Sequence, residues 1–325
     1  MNSNNGLLFA YILDGKGGGT AIDWQGLREW RPEKGPLWVH LDFSNDKVQS
    51  WMQSESNLSP LSCDILVEQD TRPRLITSKD SLLLILRGVN CNPESDPEDM
   101  VALRLSFEEN RIITMRQKRR VMALNDIHEA IDSGIGPTNS DDFLTMVSDR
   151  VVDRMSDVIS EIDDKVDELE DTVLTAESYE LRTALSKIRR QIISLRRYIA
   201  PQRDVLSRFQ NERVAWLSDK NKLHLREIAE RTARFVEDLD SARDRAAITQ
   251  EELNNRLSEQ MNKAMYVLSI VAAIFLPLGL LTGLLGINVG GIPGAENKWA
   301  FLIVTFLLIL IAAILISLFK RIRWL

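Results

Sequence analysis

Asp149, Asp153, Asp157 and Glu161 recur every four residues, and Asp164, Glu168 and Asp171 continue the run, so on a helix they stack into one acidic stripe. A stripe of one sign raises the local concentration of cations; it is equally what a solvated helix presents to a basic neighbour, and both readings stay open. A second pattern lies near the C-terminal end. Met265, Leu268, Ala272, Leu276, Gly279 and Gly283 fall at spacings of three and four, which puts them on one helical face. Small residues there suit close helix packing, or the same face lines a narrow axial pore repeated by symmetry. The apolar run ends in Gly286, Ile287 and Asn288. By contrast, His40, His128, His224, Cys63 and Cys91 are scattered, with no CxxC or HxxxH pair to hold a metal tetrahedrally. All five read as ordinary structural residues, and two distant cysteines fit a reducing compartment.

The elements that must position these residues show in the composition of each stretch. The 325 residues carry a net charge of −7 and are 27% charged, which averaged over the chain describes a soluble protein. From Gly6 to about Arg120, the runs LLFAYIL, PLWVHLDF, LLLILRGVN, VALRLSF and RIITMRQ read as strands. Lys47–Asn57, Leu61–Gln69 and Val121–Ser133 carry helical patterns. Helices interspersed with strands predict an αβα sandwich over residues 1–140. The loop Asn92–Asp99 (NPESDPED) is an exposed connection, with nothing nearby to supply a partner group.

After Gly134, Gly136 and Pro137 the chain runs without glycine to Gly279. Residues 141–217 predict a charged helical hairpin, an acidic segment Asp141–Leu174 against a basic one, Glu180–Val214, with complementary faces. A third helix, capped by Ser218 or Asp219, forms a stalk over 218–263. Its positions Leu223, Ile228, Phe235, Leu239, Ala246, Leu253 and Leu257 predict a stripe packed on the hairpin and on neighbouring copies.

No charge occurs from Ala264 to Ala295, and Trp299–Phe319 is a second uncharged run long enough to cross a bilayer. Membrane spans are expected at 264–286 and 299–319, joined by the loop 287–298 and followed by a basic tail, 320–325. Lys263, Lys320, Arg321 and Arg323 flank them on one side, so both termini are expected in the cytoplasm. The N-terminus lacks the pattern of a secretory signal.

The run PLGLLTGLLGINVGGIPG resembles the CorA superfamily of two-span metal-ion transporters, whose mark is Gly-Met-Asn after the first span. Here the tripeptide is Gly286, Ile287, Asn288, a variant similar to the zinc-associated ZntB branch. Asn262, Lys263, Met265, Pro277 and the TRPRL of Thr71–Leu75 extend the resemblance over essentially the whole chain. It implies an α+β membrane protein of the bacterial inner membrane, assembled as a funnel-shaped homopentamer, with zinc as the transported ion, no cofactor, and coupling to protons. Five Asn288 carboxamides would meet a hydrated cation without a fixed charge to trap it. Leu276, Leu268 and Met265 would form hydrophobic constrictions below. Where magnesium-type members carry loop acids, this chain has Gly290 and Gly294; Glu296 either replaces them or pairs with Lys298.

Neither span contains Asp, Glu or His, so no side-chain proton relay lies within them. Uptake is the expected direction. Two other readings compete: a CorA-type magnesium, cobalt or nickel channel, and a membrane-tethered sensor or scaffold that tolerates change at Asn288. An enzyme is not expected, since no phosphate loop or nucleophile-base motif appears. Nor is a nucleic-acid partner, since the arginine-rich helix faces acids and the chain is acidic.

Overall fold

The structure, a computed structural model, describes residues 5–69, 71–78, 80–117, 119–175, 179–287, 294 and 297–321. The chain divides into two compact units, Met1–Gln250 and Glu251–Leu325.

The first unit is built on a seven-stranded sheet: β1 (Leu7–Leu13), β2 (Gly19–Ala21), β3 (Leu37–Asp42), β4 (Arg74–Thr77), β5 (Ser81–Gly88), β6 (Val101–Glu108) and β7 (Arg111–Arg116), in the spatial order β2-β1-β3-β7-β6-β5-β4. Among the described strands, only β3 and β7 pair in parallel. Both faces of the central strands are covered, which is why they read as continuous apolar runs rather than as alternation.

The period of two decides which layer each residue joins. On β3, Leu37, Val39 and Leu41 face the layer of α1 (Trp24–Glu29), α2 (Asp46–Ser54) and α3 (Pro60–Val67), joining Leu27, Val48, Trp51, Met52 and Leu66 in one core. Trp38 points the other way, 4.9 Å from the ring of Phe143. That second layer holds α4 (Met122–Asp132), the start of a long helix α5 (Ser140–Thr175) and the end of another, α6 (Tyr179–Arg208). The predicted αβα sandwich is what forms. Buried Arg87 is satisfied by carbonyls: it donates to Thr71 O and, at 2.9 Å, to Met100 O, with its guanidinium 4.4 Å from the Tyr198 ring.

One local expectation is corrected. The acidic loop does have partners: Arg120 and Asn92 exchange two hydrogen bonds, at 3.1 and 3.0 Å, and Gln191 donates to Glu98 at 3.2 Å. Both cysteines are free: Cys91 is exposed, with its side chain hydrogen-bonded to Arg154, and Cys63 is half-buried, with its Sγ 3.5 Å from Met52 O.

Candidate functional site: a capped, clamped helix ending in an apolar span

One helix, α7 (Asp219–Leu285), carries the candidate pore face. Its 67 residues, at a rise of about 1.5 Å each, make it about 100 Å long. Ser218 caps it, its Oγ accepting from Asn221 N at 3.2 Å. Ser218 N donates in turn to Asp141 at 3.1 Å and Asn221 Nδ2 to Asp142 at 3.1 Å, which ties the first turn of α7 to the first turn of α5.

Further along, two arginines of α7 grip α5. Arg231 lies 2.6 Å from Asp149 and 3.0 Å from Asp153. Arg245 gathers Asp163 at 2.9 Å, Glu170 at 2.7 Å and Asp167, and the hydrogen bonds it donates, first to Glu170 and then to Asp167, raise its pKa above the ordinary guanidinium value. Both clamps share one offset, since the step from Arg231 to Arg245 equals the step from Asp149 to Asp163, so the two helices run parallel and in register. The third long helix is tied to α7 as well, through Arg196 and Asp240 at 2.6 Å and through Arg189 and Gln250 at 2.6 Å.

This overturns the expected charge pairing within the hairpin. None of the ion pairs among the described residues joins α5 to α6; the acids of α5 pair with α7 because the stripe is wider than one contact. At about 100° per residue, Asp149, Asp153, Asp163, Asp167 and Glu170 share the sector facing α7, whereas Asp157, Glu161, Asp164 and Glu168 point outward. Of the four acids singled out for cation steering, Asp149 and Asp153 are already neutralised, Glu161 binds Lys165 at 2.6 Å, and Asp157 is exposed. Of the predicted stalk stripe, Ile228, Phe235, Leu239, Ala246 and Leu253 are buried, Leu257 is half-buried, and Leu223 is exposed.

From Ala264 onward the helix is largely bare, with Ile270 its one buried residue among those described. Met265, Leu268 and Leu276 are 58%, 69% and 71% exposed, Ala272 is half-buried, and an added Cβ on Gly279 or Gly283 would meet nothing within 4 Å. Pro277 sits inside the unbroken helix. At Gly286 a Cβ would lie 3.0 Å from Thr282 O, so this glycine closes the last turn tightly, with Ile287 exposed beyond it. Asn288 and Glu296 lie outside the described residues. The next helix, α8 (Ala300–Arg321), is apolar on all sides and unburied, with Lys320 and Arg321 in its last turn. Both α7 and α8 are long and apolar enough to cross a membrane.

The histidines take no part in either feature. His40 is enclosed, its Nδ1 2.9 Å from Thr114 Oγ1, and burial pulls its pKa down to about 3. His128 stacks on Phe9 at 4.8 Å, its Nδ1 3.0 Å from the Tyr11 hydroxyl, while His224 is exposed. Among the described residues no three His, Cys, Asp or Glu side chains are placed to hold a metal ion.

A hydrophilic αβα unit, long charged helices and two apolar helices capable of spanning a bilayer define a two-span membrane protein. The chain belongs to the CorA-like Mg2+ transporter family, whose sequence model matches residues 33–321. It is 37% identical to the divalent cation transporter CmaX of Pseudomonas aeruginosa over 98% of this chain and 97% of that protein. It is 35% identical to the zinc transport protein ZntB of Yersinia enterocolitica over 95% of this chain and 92% of that protein. The full-length CmaX structure superposes with a TM-score of 0.86 at 36% identity, covering 99% of both chains. The CorA magnesium transporter of Methanocaldococcus jannaschii shares the fold at a TM-score of 0.81 and 18% identity, covering 98% of both chains.

Proposed function

We propose that this chain carries a divalent metal ion, zinc in preference to others, across the bacterial inner membrane through a pore lined by the apolar part of α7 from five copies. The observation that carries the reading is the bare face of Met265, Leu268 and Leu276, left uncovered by the described residues, in a protein 35% identical to a zinc transport protein. Such a face needs lipid or further copies. Small residues at Gly279 and Gly283 let copies approach, and the three large side chains make constrictions that conduct only when wetted.

Gly286, Ile287 and Asn288 form the outer mouth in this reading. The Asn288 carboxamide meets the hydrated ion, and Glu296 supplies the one acid of the loop. Both termini are cytoplasmic, which agrees with the basic flanks. Transport is inward and proton-coupled; since the spans lack Asp, Glu and His, coupling works through the ion's hydration shell or the αβα unit. Magnesium is the second reading, favoured by the family to which the chain belongs.

The test is ion flux into proteoliposomes holding the purified protein, with and without a pH gradient. Zinc flux that falls more than tenfold in Asn288→Ala supports the pore. Flux for magnesium but not zinc selects the second reading, and no flux for any ion leaves a membrane-tethered sensor.

A further inference from the structure

The hairpin of α5 and α6 carries more charge than the chain itself uses. Once Arg231 and Arg245 have taken the acids facing α7, Asp157, Glu161, Asp164 and Glu168 remain as an exposed outward stripe on α5. On α6, Arg189 and Arg196 are spent on Gln250 and Asp240. That leaves Arg182, Arg190 and Arg197 exposed, with Ile193, 54% exposed, among them. Neither Asp157 and Asp164 nor Arg182, Arg190 and Arg197 form an ion pair among the described residues.

The two stripes match in height. Asp157 stands as far before Thr175, the end of α5, as Arg197 stands after Tyr179, the start of α6; Asp164 and Arg190 are matched in the same way, and so are Glu161 and Ile193. At equal rise per residue each pair sits at one level, about 27, 16 and 21 Å respectively from the hairpin tip. Copies related by rotation about an axis parallel to the hairpin share a level, so Asp157 and Asp164 of one copy would each meet an arginine of the next, with Glu161, which also binds Lys165 of its own helix, level with Ile193 between them. In a ring of copies, each copy presents its α5 stripe to one neighbour and its α6 stripe to the other, a head-to-tail contact.

We propose that the outward faces of α5 and α6 form a charged seam between neighbouring copies, Asp157 against the partner's Arg197 and Asp164 against the partner's Arg190, around a central contact of Glu161 with the partner's Ile193. The proposal rests on the reading of the protein as a ring of copies and adds which surfaces meet. Exposed ion pairs hold little each, so the seam sets partner orientation more than assembly strength.

The test uses the full chain in detergent with Cys63→Ser and Cys91→Ser. Chains carrying Glu161→Cys and differently tagged chains carrying Ile193→Cys are assembled together and oxidised mildly. Disulfide-linked pairs containing both tags are expected, with either variant alone giving at least fivefold fewer. Placing Arg190→Glu and Arg197→Glu in all chains should cut the mixed pairs at least fivefold, and adding Asp157→Arg and Asp164→Arg should restore them. An oligomer by light scattering that gives no mixed pairs, or mixed pairs indifferent to charge reversal, overturns the seam and leaves the ring standing. A wild-type chain that runs as a single copy overturns both.

Discussion

The first part of α7, up to Gln250, and its apolar part beyond Ala264 are one helix by backbone hydrogen bonding and two different surfaces by environment. In the first, Leu225, Leu239, Ala242 and Ala246 are buried, and Arg231 and Arg245 are matched by acids of the same chain. In the second, almost nothing is buried, and residues as large as Phe275 and Leu276 are two-thirds exposed or more. The first is a finished interface, whereas the second is half of one. A substitution should therefore act on stability in the first and on assembly or conduction in the second.

The sharpest way to break that contrast is to remove the same side chain from both. Leu239→Ala takes a fully buried leucine from the packed part and should cost about 2–5 kcal/mol of stability, from lost transfer energy plus the cavity left behind. Leu268→Ala, at a 69% exposed position, should cost under about 0.5 kcal/mol in the isolated chain while changing ion flux at least several-fold. Chemical unfolding in detergent and proteoliposome flux read the two effects separately. Equal stability losses would mean that the apolar part is packed within one chain after all.

Next in size is the clamp. Arg245→Ala strands Asp163, Asp167 and Glu170 beside one another, and as a network of partly exposed charges it should cost about 1–2 kcal/mol. Arg245→Lys should recover only part of this, because an ammonium cannot serve three carboxylates with a planar fork. Full recovery by lysine would reduce the clamp to simple charge neutralisation. The end cap comes third: Ser218→Ala removes the acceptor for Asn221 N and should cost about 1 kcal/mol.

How much of this could be read from the sequence depends on whether a feature is a run or a rotation. The five longer strands appear as apolar runs, and the spans as runs without charge, because burial on all sides leaves no room for polar residues. β2 is only Gly-Thr-Ala and exposed throughout, and β4 is the four-residue RLIT directly after Arg72-Pro73, so neither carries enough apolar pattern to be seen. The six residues of α1 include a glycine and bury only Leu27. Of the candidate site, the pore face was legible as spacing, since i, i+3 and i+4 positions share a face wherever the helix lies. The partner of the acidic stripe was not. Which of its acids face α7 turns on about 100° of helix phase, and that phase is set by Val151, Met155, Ile159, Ile162 and Val166 seeking the core. One signal was available: Asp149 and Asp163, like Arg231 and Arg245, are two heptads apart, as a parallel pair of helices in register requires.

The smallest effect separates the αβα unit from the spans. His40 is enclosed between Phe9 and Thr114, and burial, reinforced by Arg116, holds its pKa at about 3, against about 6.5 in an unfolded chain. The unfolded state therefore binds the extra proton first. Stability from this residue is complete above about pH 6.5 and is lost as the pH falls toward 3, by about 0.7 kcal/mol between pH 7 and pH 6. His40→Gln removes the titrating group, so its unfolding free energy should vary less with pH over that interval by the same amount, even if its absolute stability is lower. The spans contain no group that titrates there, so the slope arises outside them. A His40→Gln protein with the full wild-type slope would move the proton uptake to another residue, and with it the part of the molecule where a pH change acts.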